Sequence, residues 1–172
     1  MTTPYSIRAA RPEDAPRIAV LGAHVWVHTY AAAGVSDVIA QYVLATFTPE
    51  RILALAEDPH AALLIAESAD GGNLAGYVVI RFGSHHADIT TEIETLYVQA
   101  SFSGQGIGSA LLARARDIAR SHTGNRSVWL TVNSQNDKAI SFYRSQGMTQ
   151  DGITYFELGG TRHENMVMLA TD

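Results

Sequence analysis

The sequence predicts an α/β fold: one domain over residues 1–172, with a mixed, mostly antiparallel sheet of six to seven strands flanked by helices and parallel pairing at the central strands. The length suits one domain, and the 47% of hydrophobic residues suffice for a core. Strand-like and helix-like runs follow in the order strand, helices, three strands, helix, strand, helix and two strands. A helix between two central strands gives a parallel crossover.

The first half of the chain is predicted to contain a strand, three helices and a hairpin. The expected ranges are strand 5–9, helix 11–30, helix 35–47, helix 51–57, strand 61–67 and strand 74–82. Thr48 caps the third helix, and Pro49 takes its first position. Asp-Gly-Gly-Asn at residues 70–73 favours a hairpin turn, and a loop containing His85 and His86 is expected to follow at residues 83–88.

The second half is organised around a central strand, a glycine-rich turn and a helix. The expected ranges are strand 91–98, a helix after the turn to about residue 120, strand 127–133, helix 135–146, and strands near 148–154 and 163–169. Ser134 and Asp137 have the spacing of a capping box, which predicts Ser134 as N-cap.

The glycine-rich turn has the features of an anion site. Gly104, Gly106 and Gly108 precede an amphipathic helix, whose first N–H groups lack partners and carry partial positive charge. A P-loop is excluded, because Ser109-Ala110 follows the last glycine where Lys-Ser/Thr is required. A dinucleotide site is excluded by the G-x-G-x-G spacing and by Asn133 at the end of the next strand. Two interpretations of the turn remain: it binds a diphosphate, or it serves packing alone.

Composition narrows the class of protein. The net charge of −5 argues against nucleic acid or an anionic membrane as a partner and is compatible with cationic substrates. Cysteine is absent, which excludes disulfides and thiolate sites. Neither a signal peptide nor an apolar run of the roughly 18 residues needed to span a bilayer is evident, so a cytoplasmic protein is expected.

Two segments resemble the GNAT superfamily of N-acetyltransferases: residues 96–98 with Ser-Gly-Gln-Gly-Ile-Gly at 103–108, and residues 132–148, which contain Asn-Asp-Lys-Ala-Ile-Ser-Phe-Tyr. The resemblance implies a GNAT-like fold with acetyl-CoA as cosubstrate and no metal. It assigns the diphosphate to the turn amides and the pantetheine arm to the central strand's edge. Ser103 replaces the usual Gln or Arg. The implied cofactor-binding residues are Leu96, Tyr97, Val98, Ser103, Gly104, Gln105, Gly106, Ile107, Gly108, Ser109, Asn133, Asn136 and Tyr143.

Two acids on the central strand are candidates for the catalytic base. Transfer to an amine requires removal of a proton from an ammonium whose pKa is near ~10. Alternation places Glu92 and Glu94 on one face of the strand. Glu92 matches the position of a base in many family members and is preferred; the alternative is that both acids are ordinary surface groups.

Tyr143 matches the family's general acid, which protonates the departing thiolate; the alternative is an apolar packing role. Trp26 and Tyr30, one helical turn apart, are candidates for acceptor binding or for core packing. His85 and His86 lack a third ligand at metal spacing, so no metal site is expected.

The expected function is transfer of an acetyl group from acetyl-CoA to a primary amine, of a small molecule or a peptide N-terminus, by direct attack in a ternary complex. The alternative is a non-catalytic module that binds acyl-CoA. The final strand could pair with a second copy, so a homodimer is conceivable. The sequence leaves the acceptor itself open.

Overall fold

The computed structural model describes residues 4–172, which form one seven-stranded sheet packed between helices. The strands are β1 (Tyr5–Ala9), β2 (Ala61–Ser68), β3 (Leu74–His86), β4 (Ile89–Val98), β5 (Val128–Asn133), β6 (Thr149–Leu158) and β7 (Thr161–Ala170). The α-helices are α1 (Ala15–Tyr30), α2 (Asp37–Thr46), α3 (Pro49–Glu57), α4 (Ile107–Thr123) and α5 (Asp137–Ser145). The prediction of one domain over 1–172 includes residues 1–3, outside the described residues, and stays a prediction.

The strand order is β1-β2-β3-β4-β5-β7-β6. Strands β4 and β5 pair in parallel across the α4 crossover, and every other pairing is antiparallel. This confirms the predicted mixed sheet with parallel pairing at its centre. Strand β6 is an edge of the sheet, and the predicted homodimer through a final strand stays a prediction.

The sheet has a hydrophobic core on each face. On one face α4 and α5 pack against β2–β5 and β7 through residues such as Val78, Ile80, Ile93, Leu111 and Leu130. On the other face α1 and α3 cover a smaller core that includes Ile18, Ile52, Ile65, Tyr77 and Val79. Alternate residues of β3 therefore serve different cores, as the pleat of a strand requires.

An ion network fastens α1 to the sheet's edge. Arg8 on β1 donates to Asp14 at 2.8 and 3.0 Å and to Glu67 on β2 at 2.8 and 3.1 Å. Arg17 on α1 donates to the same two carboxylates at 2.6 and 2.8 Å. Hydrogen bonds from the guanidinium groups lower the pKa of both Asp14 and Glu67. The carboxylates thus stay ionised and hold three elements together.

Two local predictions are wrong. Residues 83–88 are not a loop: β3 continues to His86 through an irregularity in its pairing with β4, and a tight turn at Ala87 with φ 50° leads into β4. Ser134 is not the cap of α5, because the side chain of Asn136 accepts from Ala139 N at 3.2 Å and the helix begins at Asp137. The predicted Thr48 cap is confirmed, with Oγ1 accepting from Arg51 N at 3.2 Å.

None of the helices within residues 4–172 is long and apolar enough to cross a membrane.

Candidate active site

The central parallel strands part after a single pair. Glu92 of β4 lies opposite Trp129 of β5, and no further register pair joins the two strands. The far edge of β5 stays paired with β7 over residues 128–133, and β4 stays paired with β3 as far as Val98. The edge of β4 that faces β5 is therefore unpaired over residues 93–98. We call the gap beside this edge the β4–β5 cleft.

A β-bulge at Glu94 turns β4 where the cleft opens. Thr95 pairs with Val79 and Ile93 with Ile80, so Glu94 has no opposite residue on β3. Bulges bend a strand and are frequent beside functional sites. Beyond the bulge Leu96 and Val98 pack against the core under α4 and α5, whereas Tyr97 packs against the core under α1.

The glycine-rich turn presents free amides next to the cleft. Gly104 and Gly106 have φ of 79° and 82°, the left-handed region that glycine adopts without strain. Gly106 caps α4, and the first helical bond runs from Ala110 N to its carbonyl. The amides of residues 104–109 make no backbone hydrogen bond to a described residue. Residues 103–106 are exposed, so the N–H groups of residues 104–106 are accessible to an anion, whereas Ile107 is buried and residues 108 and 109 are partly exposed.

Glu92 is half-buried at the point where the two strands part. Its Oε2 accepts a hydrogen bond of 2.6 Å from Ser84 Oγ. Burial raises the pKa of Glu92, the nearby charge of Glu94 raises it further, and the Ser84 hydrogen bond and the Arg81 charge lower it in part. Glu92 is thus a carboxylate with increased proton affinity and one fixed oxygen.

Glu94 is more exposed and is paired with a cation. Arg81 on β3 donates to Glu94 Oε2 at 3.1 Å and to Asp58 Oδ2 at 3.0 Å. Both predicted acids therefore lie on the Arg81 side of the sheet, since Glu92 is also the register partner of Arg81. The two acids differ in environment: Glu94 is neutralised by Arg81, and Glu92 is held by a hydroxyl.

Tyr143 on α5 is buried with the core under α4. Burial, with a smaller effect from nearby Tyr30, raises its pKa well above the ordinary value, so the phenol remains protonated at physiological pH. Ser134 Oγ is fully buried and has no hydrogen-bond partner within the described residues. The Tyr143 hydroxyl is not in that situation.

Asn133 and Asn136 stand at the start of α5 and use their side-chain oxygens locally. Asn133 Oδ1 accepts from Gln135 N at 2.9 Å, and Asn136 Oδ1 accepts from Ala139 N. Both act as turn and cap residues, as one interpretation of the sequence had it. The side-chain NH₂ group of Asn133 remains as a donor for a cofactor, whereas that of Asn136 lies beside the Tyr30 hydroxyl.

Trp26 and Tyr30 lie together, with ring centroids 4.9 Å apart. Trp26 is buried, whereas Tyr30 is 39% exposed. Burial raises the pKa of Tyr30, and a hydrogen bond from the Asn136 side chain lowers it in part, so the end of α1 lies beside the start of α5. Tyr30 therefore borders the cleft, and Trp26 supports it.

The sequence interpretation missed three residues around Glu92. Ser84 and Arg81 act on the acids from β3, and Trp129 Nε1 donates to the carbonyl of Ser84 at 2.9 Å. His86 also serves this region, with Nε2 2.8 Å from Asp151 Oδ2 and its ring centroid 5.5 Å from that of Trp129. Only knowledge of the β3–β4 register could have joined these residues to Glu92.

The described residues contain no group of three or more His, Asp or Glu side chains that could hold a metal ion. The free amides of the turn and the unpaired β4 edge instead fit a diphosphate joined to an extended, amide-containing arm, because both groups bind to backbone donors and acceptors.

Comparisons with known proteins agree with this geometry. The acetyltransferase (GNAT) family profile matches residues 27–148. An uncharacterized N-acetyltransferase of Mycobacterium tuberculosis is 29% identical over 156 residues, covering 91% of this chain and 96% of that protein. Streptothricin acetyltransferase of Streptomyces lavendulae is 30% identical over 173 residues, covering 93% and 89%. The crystal structure of PaiA N-acetyltransferase from Thermoplasma acidophilum in complex with coenzyme A superposes with a TM-score of 0.75 over 100% of both chains at 22% identity.

The fold, the parted central strands and these matches define the class of protein as an N-acetyltransferase. The chain belongs to the GNAT family of acetyltransferases.

Proposed function

We propose that the protein transfers the acetyl group of acetyl-CoA to a primary amine, of a small molecule or a peptide N-terminus, by direct attack in a ternary complex. The observation that carries the proposal is the position of Glu92. It occupies the last β4–β5 pair, where the cleft opens, and its environment increases its proton affinity. A base at that point lies beside a substrate held along the β4 edge.

The turn and the strand edge would hold acetyl-CoA. The amides of residues 104–109 point from the start of α4 and suit the diphosphate, and the unpaired edge of residues 93–98 suits the pantetheine arm as an added strand. The NH₂ group of Asn133 is a further donor. Acetyl-CoA supplies the acyl group as an activated thioester.

Glu92 acts as the base. The acceptor arrives as an ammonium with a pKa near ~10 and must lose a proton before its nitrogen can attack. The proton passes to Glu92, directly or through one water, as the N–C bond forms and the C–S bond breaks. Glu94 is the second candidate, but its Oε2 already accepts a hydrogen bond from Arg81 at 3.1 Å.

Tyr143 stabilises the leaving group. Its phenol stays protonated, so its hydroxyl is a permanent donor toward the sulfur. The raised pKa also makes complete proton loss from the phenol unfavourable. We therefore assign to Tyr143 a hydrogen bond to the departing thiolate; as its hydroxyl gives a proton to the sulfur it takes up the second proton that the nitrogen loses, so the phenol stays neutral.

Release of coenzyme A thiol from acetyl-CoA, measured with a panel of primary amines, tests the proposal. Thiol release that depends on the amine and on Glu92 is expected. Tight binding of acetyl-CoA with no amine-dependent release would contradict catalysis and favour a non-catalytic acyl-CoA-binding module.

A further inference from the structure

Aromatic side chains from five parts of the fold form a continuous wall beside the β4–β5 cleft. They come from α1, α2, the residue after α2, β4 and β6: Trp26, Tyr30, Tyr42, Phe47, Tyr97 and Phe156. We call this set the aromatic wall. Its α1 end is formed by Trp26, whose ring centroid lies 4.9 Å from that of Tyr30 and 4.8 Å from that of Tyr42.

Tyr42 links the helices to the sheet. Its ring centroid lies 5.7 Å from that of Phe156 on β6 and 6.5 Å from that of Phe47, both in edge-on geometry. Phe47 in turn lies 6.4 Å from Tyr97 on β4. Tyr97 belongs to the strand whose edge is unpaired, so the aromatic wall extends to β4.

Tyr97, which belongs to the aromatic wall, lies near Tyr143 on α5. Burial raises the pKa of Tyr97 well above the ordinary value, with smaller effects from nearby tyrosines, Tyr143 among them. Neither hydroxyl is sealed in the protein interior without a hydrogen bond. A phenol oxygen largely surrounded by apolar groups gains from a bound partner. The cleft therefore combines flat apolar faces with a few open polar atoms, as small-molecule sites do.

The charges around the aromatic wall suit a single cationic group. Glu92 lies at the β4–β5 pair from which the cleft opens, and Glu94 is paired with Arg81. Of these two acids, only Glu92 has no ion pair within the described residues, so one ammonium group can be bound there.

We propose that the aromatic wall binds the organic group of the acceptor, and that the preferred acceptor is a primary monoamine with a flat apolar group, of the arylalkylamine class. The ammonium end would lie toward Glu92, and the flat group would stack on Tyr42 and its neighbours. This inference rests on the proposed acetyl transfer, because it names the substrate of that reaction.

A matched series of amines tests the inference. The kcat/KM for acetylation of 2-phenylethylamine is compared with that of hexylamine and of spermidine, using the full chain and acetyl-CoA. Because stacking adds up to about 1.5 kcal/mol beyond burial, an advantage of about tenfold for phenylethylamine is expected. Preference for hexylamine or spermidine would overturn the inference and leave the proposed function standing. No acetylation of any amine would overturn both.

Variants of Tyr42 distinguish the contribution of its aromatic ring to the amine preference from that of its hydroxyl. Tyr42→Leu should reduce the advantage of phenylethylamine over hexylamine about tenfold, mainly through KM, and Tyr42→Phe should preserve it. Leu44→Ala on the same helix is the control, because Leu44 is 76% exposed and lies outside the aromatic wall. Should Tyr42→Leu fail to fold, as judged by thermal melting, Phe156→Leu makes the same test from β6. An unchanged amine preference in the folded variant would contradict the proposal.

Discussion

Ser84 Oγ donates a hydrogen bond of 2.6 Å to Oε2 of Glu92 across the β3–β4 pair. The Ser84 carbonyl in turn accepts from Trp129 Nε1 on β5 at 2.9 Å. The Ser84 hydroxyl therefore holds Glu92, the proposed base. Ser84 is in turn hydrogen-bonded to β5, the strand across the β4–β5 cleft.

Removing the Ser84 hydroxyl should shift the acidic limb of the pH–rate profile. The hydrogen bond lowers the pKa of Glu92, so Ser84→Ala should raise that pKa, and activity should fall at a higher pH because the base is protonated sooner. A hydrogen bond to a charged group contributes about 1.5 kcal/mol, which corresponds to a shift of about one pH unit in kcat/KM. Ser84→Thr keeps the hydroxyl and should keep the limb in place. Identical profiles for wild type and Ser84→Ala would show that Ser84 does not act on the base.

Glu92→Gln should remove the acidic limb of the pH–rate profile. It should also lower kcat about 100-fold or more, since general bases contribute about 10²–10⁴-fold. The affinity for coenzyme A should not change, because the amide replaces the acid without loss of volume. Glu94→Gln is the matched control on the same strand and should have a small effect. A larger loss in Glu94→Gln than in Glu92→Gln would reverse the assignment of the base.

Tyr143→Phe should lower kcat with little effect on cofactor binding, because the substitution removes only the hydroxyl, which we propose donates to the leaving sulfur. The packing of the ring in the core should be retained, so thermal stability should stay near that of wild type. Pre-steady-state measurement of thiol release reports the affected step. Full activity in this variant would reduce Tyr143 to a packing residue.

Gly106→Ala should weaken coenzyme A binding. Gly106 has φ 82°, where an alanine is strained by roughly 1 kcal/mol, and relief of that strain would move the amides at the start of α4. A Cβ there would have space, with Tyr5 Oη at 3.8 Å, so strain and not collision is the expected cause. Calorimetry should show a higher Kd, whereas Gln105→Ala in the same exposed turn should bind normally. Equal affinities would indicate that the turn conformation is not needed for binding.

The ion network should make folding stability depend on pH in acid. Arg8 and Arg17 hold the pKa of Asp14 and Glu67 below that of the unfolded chain, so the contribution is complete above about pH 4 and is lost as the pH falls below it. Asp14→Asn should cost about 2 kcal/mol at pH 7 and flatten the acid dependence, because the Asp14 side chain is 5% exposed.

Asp117→Asn is the control for that network, since its pair with Arg126 is largely exposed and should contribute less than about 0.5 kcal/mol. Chemical denaturation of both variants at pH 7 and pH 3 provides the comparison. Equal destabilisation by the two substitutions would contradict a structural role for the network.

Local patterns predicted the element order and the turn because these depend on neighbouring residues. Strand alternation, the Thr48 cap and the glycines before α4 are all encoded within a few positions. The hairpin after Phe82 could not be predicted in the same way. Gly83, His85 and His86 resemble a loop, and only pairing with β4 extends β3 to His86.

The surroundings of Glu92 and Glu94 depend on the register of β3 and β4, which local sequence patterns do not determine. The bulge at Glu94 separates Leu96 and Val98 from the face of Glu92, although simple alternation would have put them together. Arg81 and Ser84 lie 11 and 8 residues before Glu92 in the chain and meet the acids only through the β3–β4 pairing. The aromatic wall joins residues from Trp26 to Phe156, a contact set that no single segment indicates.

We propose that the free amides of residues 104–109 and the unpaired edge of β4 bind coenzyme A together. Backbone amide NMR of the labelled protein during titration with coenzyme A tests this binding mode. Large shifts are expected at residues 104–109 and along residues 94–98, with little change along the edge strand β6. Shifts confined to other surfaces, or none at saturating coenzyme A, would contradict it.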